Sequence, residues 1–175
     1  MKSTLVSVLV AGAFLVSGAQ AASTNFYVGV NAGQANFATP AGVAYSSASD
    51  TSFGGVAGYN FNEYFGLEAA YTDLGRATAT NGTSVKSYVY SLSGVGHLPF
   101  GSGFSGVGRL GYAGSHSQST NGTSGNYSNV TYGIGVQYDF TPEVSVGLNA
   151  DHYSVGSSAQ NWGVNNYSLS AQYHF

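Results

Sequence analysis

The last ten residues, Asn166–Phe175 (NYSLSAQYHF), decide the fold because their side chains alternate between apolar and polar. Successive side chains of an extended strand point to opposite faces. One face then holds Tyr167, Leu169, Ala171, Tyr173 and Phe175, and the other holds Ser168, Ser170, Gln172 and His174. A terminal strand with so apolar a face needs a neighbour at each edge and an oily environment against that face. We therefore predict that earlier strands close a barrel with it, and that its aromatic face meets lipid.

Seven earlier segments repeat the same alternation and are separated by turn-forming stretches. They are Phe26–Phe37, Thr51–Phe61, Tyr64–Leu74, Val85–His97, Gly103–Gly114, Asn129–Phe140 and Val144–Tyr153, followed by Val164–Phe175. The connections alternate between tight turns and longer stretches rich in Gly, Ser, Thr and Asn, with long loops expected at Ala38–Asp50, Gly75–Ser84, Ser115–Ser128 and Ser154–Gly163. The sequence therefore predicts an all-β fold, an eight-stranded antiparallel up-and-down transmembrane β-barrel.

Composition narrows the class of protein. Charged residues make up 6% of the chain, whereas an ordinary soluble domain has roughly 25%. The formal charge of −3 and the four Lys and Arg residues exclude a nucleic-acid partner. The chain has no cysteine, so neither disulfides nor thiolate metal sites are expected.

The N-terminus has the pattern of a secretory signal. Lys2 precedes the apolar run Leu5–Val16, and Ala19-Gln20-Ala21 forms a small-x-small cleavage site. A membrane anchor is the alternative, but the run is short for a spanning helix. We expect residues 1–21 to be a signal peptide and residues 22–175 to form the barrel domain.

The two faces of the strands differ in charge. We expect the apolar face to carry no charge and the opposite face to carry Glu68, Arg109, Asp139 and Asp151. A soluble, lipocalin-like barrel would turn its apolar face inward. In that arrangement the polar face would be exposed to water, although it lacks the Lys and Glu of a solvated surface. The large aromatic residues of the apolar face would also be crowded into a narrow interior. We therefore predict that the apolar face points to lipid, with aromatic girdles at both membrane surfaces.

Several stretches resemble a known family. Phe26–Phe37 (FYVGVNAGQANF), Tyr64–Arg76 (YFGLEAAYTDLGR), Arg109-Leu110-Gly111 and Tyr132–Val144 (YGIGVQYDFTPEV) resemble the transmembrane domain of OmpA-like outer-membrane proteins. The resemblance implies a bacterial outer-membrane barrel with its long loops at the cell surface. It also implies that Tyr167, Leu169, Tyr173 and Phe175 form the signal read by the outer-membrane assembly machinery. We expect the family's periplasmic peptidoglycan-binding domain to be absent.

The resemblance also suggests a role for the inward charges. In the family, lumen charges form a salt-bridge cluster that plugs the barrel and gates slow ion passage. Glu68 and Arg109 match two of those positions, whereas Asn31, Val95, Gln137 and Gly147 stand at others. A smaller network of Glu68, Arg109, Asp139 and Asp151 is expected, and its charges are expected chiefly to neutralise one another. A narrow, low-conductance pore remains the alternative function.

His152-Tyr153-Ser154 supports a third hypothesis, an enzyme. The His-x-Ser pattern near the end of a late strand resembles the catalytic motif of outer-membrane lipid A deacylases. Ser154 would be the nucleophile and His152 the base on the membrane-facing wall. This sequence departs from that motif, because Val155 replaces its Asn and Asn165-Asn166 stand where its acid would be. A histidine at the level of the lipid headgroups explains His152 as well, and we expect no catalysis.

The remaining candidate residues are expected to be structural. His97 and His174 would face the lumen, His116 would lie in a loop, and Trp162 would anchor at the headgroups. Their spacing does not demand a metal site, and no cofactor is expected. The expected function is structural or surface-interacting, and the partners are outer-membrane lipid and lipopolysaccharide, the assembly machinery, and a surface ligand bound through the loops.

Overall fold

A computed structural model describes residues 25–38, 45–47, 49–79, 84–119, 124–157 and 160–175. The predicted signal peptide, residues 1–21, lies outside the described residues. Among the residues described, no helix is long and apolar enough to cross a membrane.

Nine strands make up the structure, of which eight are long. They are β1 (Phe26–Phe37), β2 (Tyr45–Ser47), β3 (Ser49–Asn60), β4 (Phe65–Ala79), β5 (Ser84–Gly101), β6 (Phe104–Ser119), β7 (Ser124–Asp139), β8 (Val144–Ser157) and β9 (Gln160–His174). Each long strand pairs antiparallel with its two neighbours, and β1 pairs with β9, so the sheet closes on itself. The short β2 pairs with the far end of β4. The predicted eight-stranded antiparallel barrel is confirmed.

Three tight turns lie at one end of the barrel, here called the turn end. At the first, the Asn62 side-chain oxygen accepts the amides of Tyr64 and Phe65 at 2.8 and 2.9 Å. At the second, Ser102 (φ 55°) lies between two glycines that also have positive φ. At the third, Thr141 Oγ1 accepts the Val144 amide at 3.1 Å. Side chains thus bond the otherwise unpaired amides at two of these turns.

The opposite end, here called the hairpin end, contains longer strands than the alternation predicted. β4 and β5 continue to Ala79 and from Ser84, and β6 and β7 continue to Ser119 and from Ser124. The predicted loops Gly75–Ser84 and Ser115–Ser128 are therefore largely β-hairpins, and their prediction as loops was wrong. These stretches are rich in Ser, Thr and Gly, which suggested loops. The backbone N–H and C=O groups of these residues nevertheless form the hydrogen bonds of a β-ladder as those of other residues do.

The apolar face of the sheet points outward. Ile134 is 71% exposed and Leu110 is 66% exposed, although both lie in the middle of long strands. At the turn end, aromatic rings contact one another, with centroids 4.6 Å apart for Phe104 and Tyr138 and 5.1 Å apart for Tyr173 and Phe175. At the hairpin end, the rings of Tyr71 and Tyr88 lie 5.9 Å apart. The two rows of rings occupy the positions expected for aromatic girdles.

A bulge interrupts β4 at the hairpin end. Asp73 pairs with Tyr88 and Arg76 pairs with Lys86, so two residues of β4 lie opposite one residue of β5. Gly75 has a φ of +75°, a conformation that residues with a Cβ rarely adopt. Leu74 keeps the inward position that the regular alternation gives it, and the bulge then reverses the alternation, so Arg76 points outward.

The wall divides between β7 and β8 at the hairpin end. Their ladder ends at Thr131 and Tyr153, although both strands continue. Beyond that level β7 pairs only with β6, and β8 pairs only with β9. Above the closed part of the barrel, the hairpin of β8 and β9 is therefore separate from the hairpin of β6 and β7.

Candidate functional site

A chain of polar contacts crosses the lumen. Arg109 Nε donates to Glu68 Oε1 at 2.9 Å, and the Tyr27 hydroxyl donates to Glu68 Oε2 at 2.9 Å. Arg109 Nη1 donates to Asn149 Oδ1 at 2.8 Å, and Asn149 Nδ2 donates to Ser170 Oγ at 3.0 Å. These five residues lie on β1, β4, β6, β8 and β9, and we call them the lumen tie. The lumen tie joins five strands across the interior with each charge hydrogen-bonded.

The other two predicted members of the inward network lie differently. Asp151 lines the same small cavity as Glu68 and Arg109, and it interacts electrostatically with the guanidinium. Asp139 lies at the turn end, where its Oδ1 accepts a hydrogen bond from Gln137 Nε2 at 3.0 Å. The structure thus brings Glu68, Arg109 and Asp151 together and holds Asp139 in a separate contact.

The space around the lumen tie is small. The cavity lined by Asn31, Glu68, Arg109 and Asp151 encloses about 30 Å³, which is room for one or two water molecules, since each needs roughly 10–15 Å³. The buried Oδ1 of Asn31 has no protein partner in the described residues and faces this space. We infer that the cavity holds water and not a larger ligand.

An apolar layer closes the lumen at the hairpin end, and sequence reasoning missed it. The layer consists of Ala35, Leu74, Val89, Ala113, Tyr153 and Val164, all buried, with Phe37 packed against them. Toward the turn end, Val95, Val107 and Tyr27 are also buried. The signal was present as apolar residues at inward positions, and Leu74 was among them because it shares the alternation of Glu68 and Thr72.

The side chain of His152 is hydrogen-bonded to Asn165 on the neighbouring strand. His152 Nδ1 is 2.7 Å from Asn165 Oδ1, and its ring stacks on Tyr132 with centroids 4.9 Å apart. Within the described residues, no hydrogen bond joins His152 to Ser154. An amide, not a carboxylate, is thus hydrogen-bonded to the histidine, and it supplies no negative charge to stabilise an imidazolium.

The other histidines occupy three different places. His174 Nε2 is 3.1 Å from Ser145 Oγ at the turn end of the lumen, and His97 Nε2 is buried without a partner in the described residues. His116 lies in β6 and stacks on Tyr88 at 5.1 Å, so its prediction as a loop residue was wrong. No group of His, Asp or Glu in the described part could hold a metal ion. The predicted headgroup contact of the Trp162 side chain lies outside the described residues.

The predicted assembly signal is on the closing strand. Tyr167, Leu169 and Tyr173 point outward from β9, which pairs with β8 on one side and β1 on the other. The Phe175 amide donates to the Phe26 carbonyl at 2.9 Å, so the ladder extends to the last residue. Recognition of these side chains by the assembly machinery stays a prediction.

The apolar face carries Asp73, Arg76 and Lys86 near the hairpin end, so the prediction that it is free of charge was wrong. Lys86 Nζ lies 3.0 Å from Asp73 Oδ2, with 53% and 34% of these side chains exposed. Asp73 lies opposite Tyr88, level with the aromatic row, and Arg76 and Lys86 lie beyond that row. Headgroups and water replace acyl chains at this height.

Comparisons with solved structures give the same fold. Neisserial surface protein A (NspA) matches with a TM-score of 0.65 and 20% identity over 87% of this chain and 98% of that chain. Ail, the attachment invasion locus protein of Yersinia pestis, matches with a TM-score of 0.59 and 16% identity over 87% and 99%. The N-terminal β-barrel domain of Pseudomonas aeruginosa OprF matches with a TM-score of 0.58 and 18% identity over 87% and 98%. A sequence comparison with curated proteins found no match.

A family model provides the assignment. The model described as "Outer membrane protein beta-barrel domain" matches residues 6–175, which is nearly the whole chain. This match, the closed barrel and the outward apolar face locate the protein in the bacterial outer membrane. The chain belongs to the family of outer membrane proteins with this β-barrel domain, and its barrel is of the small eight-stranded, OmpA-like kind.

Proposed function

We propose that this barrel has a structural and surface-interaction role in the outer membrane, with its hairpins exposed at the cell surface. The observation that carries the proposal is the closed lumen: an apolar layer lies at the hairpin end, and the cavity beneath it encloses about 30 Å³. A cavity of that size offers no room for a solute or a substrate. Interaction with other molecules is then left to the outer wall and to the strands that rise beyond it.

The proposal includes an orientation and a mature form. Outer-membrane barrels have short turns in the periplasm and longer connections outside, which assigns the hairpin end to the cell surface. Residues 1–21 are taken as a signal peptide and residues 22–175 as the barrel domain. The outward side chains of β9 are taken as the signal for the assembly machinery, and lipopolysaccharide as the lipid around the hairpin end.

Two similar structures suggest where to look for a surface ligand. Ail is named as an attachment invasion locus protein, and its structure is also known in complex with the heparin analogue sucrose octasulfate. NspA is named as a surface protein. At such low identity these likenesses show the fold alone, so a ligand of this barrel has to be tested directly.

The test replaces two connecting segments and keeps all described strands of the barrel. Residues 80–83, which connect β4 to β5, and residues 120–123, which connect β6 to β7, are exchanged for Gly-Ser sequences of equal length. Bacteria that express each variant are bound to immobilised heparin and to epithelial cell layers. We expect binding by the wild type and loss of binding by the exchanged variant. Glu63→Gln with Glu143→Gln, at the opposite end, is the control and should bind normally. Equal binding by the exchanged variant would contradict recognition through the hairpins.

The pore alternative predicts a different measurement. The apolar layer and the lumen tie together block the path of an ion, because an ion would lose its hydration without new ligands. We expect the purified protein to give no stepwise conductance in planar lipid bilayers at neutral pH. Reproducible single-channel steps that vanish on boiling the protein would support the pore instead.

The deacylase alternative is tested by the lipid itself. Because His152 is bonded to Asn165 and not to Ser154, we propose that the barrel has no hydrolase activity. Mass spectra of lipid A from cells that overproduce the protein should show the acylation of control cells. A loss of acyl chains that disappears in the Ser154→Ala variant would establish the enzyme.

A further inference from the structure

We propose that Arg76 and Lys86 form a site for a bisphosphorylated, acylated glycolipid, the lipid A anchor of lipopolysaccharide. The site lies on the outer wall at the hairpin end, across β4 and β5. The inference rests on the proposed orientation, which assigns that end to the outer leaflet, and it names residues that bind the lipid.

The distribution of cations is the first observation. After residue 21 the chain contains three Lys or Arg residues, namely Arg76, Lys86 and Arg109. Arg109 lies inside the barrel in the lumen tie. Arg76 and Lys86 are direct partners in the ladder between β4 and β5, and directly opposed residues extend their side chains from the same face. Both outward cations of the barrel are therefore neighbours.

The bulge in β4 creates this arrangement. Without the extra residue at Gly75, the alternation would turn Arg76 into the lumen. Two carboxylates hold the bulge: Asp73 Oδ1 accepts the Gly75 amide at 2.9 Å, and Asp50 Oδ2 accepts the Arg76 amide at 2.7 Å. The backbone is thus fixed in the form that pairs Arg76 with Lys86 on the outer wall.

The site retains positive charge after its internal pairing. Asp73 binds Lys86 at 3.0 Å, while the Arg76 guanidinium has no acidic partner among the described residues. Asp50 bonds backbone amides from β3, on the inward side of the wall. Arg76, Lys86 and Asp73 then leave one net positive charge outward, and a lysine ammonium has three donors, so Lys86 can bind a phosphate while it stays paired with Asp73.

A groove on the same wall lies directly below the two cations. It has a volume of about 910 Å³, and its lining includes the outward residues Ala57, Ala69, Tyr71, Tyr90, Leu92 and Tyr112 of β3 to β6. The small side chains of Ala57 and Ala69 form its floor, and the tyrosines form its upper margin. Such a surface accommodates acyl chains by shape and apolar contact.

The vertical spacing fits a phosphorylated lipid. Tyr90 lines the groove and Lys86 lies four residues beyond it, which is about 13 Å along a strand. Between them the Tyr88 ring stacks on His116 with centroids 5.1 Å apart. Along the strands, the apolar groove comes first, the amphipathic rings second and the cations last. A lipid A molecule would place its acyl chains, its sugars and its phosphates in that same order.

Charge complementarity favours lipid A over a phospholipid. Two adjacent cations match a headgroup with two phosphates better than one with a single phosphodiester, because each phosphate can take its own charge-assisted hydrogen bonds. A groove that extends across four strands also matches a lipid with several acyl chains on one headgroup.

The experiment measures lipid retained by the intact protein. The barrel is purified in detergent without boiling, incubated with bisphosphorylated lipid A, with monophosphorylated lipid A or with phosphatidylglycerol, and examined by native mass spectrometry. We expect bisphosphorylated lipid A to bind best and the Arg76→Gln/Lys86→Gln variant to bind it about tenfold more weakly. Glu63→Gln is the control, because it changes one charge at the turn end and leaves both cations and the bulge in place, and it should bind as the wild type does.

The outcomes separate the proposals. Undiminished lipid A binding by a double variant that still migrates as a folded barrel on a gel would overturn the site. Equal binding of phosphatidylglycerol, with the same loss in the variant, would overturn lipid A and leave a general lipid phosphate site. Neither result affects the adhesion test on the connecting segments, so the proposed surface role and this lipid site fail independently.

Discussion

Two ion pairs of the barrel have the same chemistry in opposite surroundings. The pair of Arg109 and Glu68 is enclosed in the lumen, where Glu68 is 4% exposed, and the pair of Lys86 and Asp73 lies on the outer wall. A buried charge that loses its partner keeps its desolvation cost, whereas an exposed charge regains water. The two pairs therefore make a matched test of what burial does to an ion pair.

Removal of one cation from each pair should give very different losses of stability. We expect Arg109→Met to lower the free energy of unfolding by about 3–5 kcal/mol, since Glu68 is left buried and unpaired. Lys86→Met should cost less than about 1 kcal/mol. Urea unfolding of the barrel in detergent free of lipopolysaccharide measures both values.

A double variant checks the mechanism of that loss. Glu68→Gln combined with Arg109→Met removes both charges, so it should recover much of the stability lost in Arg109→Met alone. If the double variant were as unstable as the single one, packing and not the stranded charge would explain the effect.

The alternation of apolar and polar residues predicts which face of the sheet a side chain lies on, but not the distances between side chains. It indicated that Glu68, Arg109, Asp139 and Asp151 lie on the inward face of their strands. It did not predict that Tyr27 would donate to Glu68, or that Asn149 and Ser170 would continue the lumen tie, because those contacts depend on the stagger of five strands. Asp139 is separated from the others by its height in the barrel, which a one-dimensional pattern does not contain.

At the level of one strand, the bulge of β4 determines the faces of the residues around it. Gly75 takes a φ of +75°, and a Cβ at this position would contact the side chain of Asp50. Leu74 enters the apolar layer of the lumen on one side, and Arg76 reaches the outer wall on the other. Gly75 thus turns Arg76 toward the lipid site proposed above and leaves Leu74 at its regular inward position.

We expect Gly75→Ala to destabilise the barrel by about 1–2 kcal/mol, because the left-handed conformation is costly for a residue with a Cβ. Thermal unfolding, followed by the migration of unboiled protein on a gel after heating steps, measures the shift. Gly55→Ala is the control, since a Cβ there faces lipid and meets its nearest atom at 3.6 Å. An unchanged transition in Gly75→Ala would mean that the bulge has relaxed to a regular ladder.

Strand existence was predictable, and strand length at the hairpin end was not. In the membrane the apolar and polar positions alternate strictly, so Phe26–Phe37 was predicted with its observed bounds. Beyond the aromatic row, the alternation of apolar and polar residues disappears from the sequence, as in Ser115–Ser119. A ladder there depends on backbone bonds alone, which leave no pattern in the sequence.

The whole molecule depends on closure between its first and last long strands. β9 forms ladders with both β1 and β8, and its last residues bond to Phe26 and Glu143. In lipid, an open seam would expose two rows of unpaired backbone groups, each costing several kcal/mol. Closure is therefore the step that makes the barrel compatible with the membrane.

Deletion of residues 173–175 should abolish folding into lipid vesicles, because it removes the end of two ladders and part of the aromatic girdle. The measurement is the fraction of protein that migrates differently before and after boiling. Ser157→Ala, at the hairpin end of β8, is the control and should fold as the wild type does. A truncated barrel that folded in full yield would contradict a decisive role for the seam.

The orientation of the whole wall followed from the sequence, but the filling of the interior did not. Composition and alternation together indicated that the apolar face points outward, and the exposed side chains of Ile134 and Leu110 confirm it. No apolar layer was predicted in the lumen. Its apolar layer escaped prediction because it is assembled from residues on six strands that are far apart in sequence.

The division of the wall above Thr131 and Tyr153 has a consequence for engineering. The unit formed by β8 and β9 shares no ladder with β7 at that height, so a foreign epitope grafted onto one unit transmits no register change to the other. Each unit is then an independent platform for display on living cells, carried by a scaffold whose own folding is completed closer to the turn end.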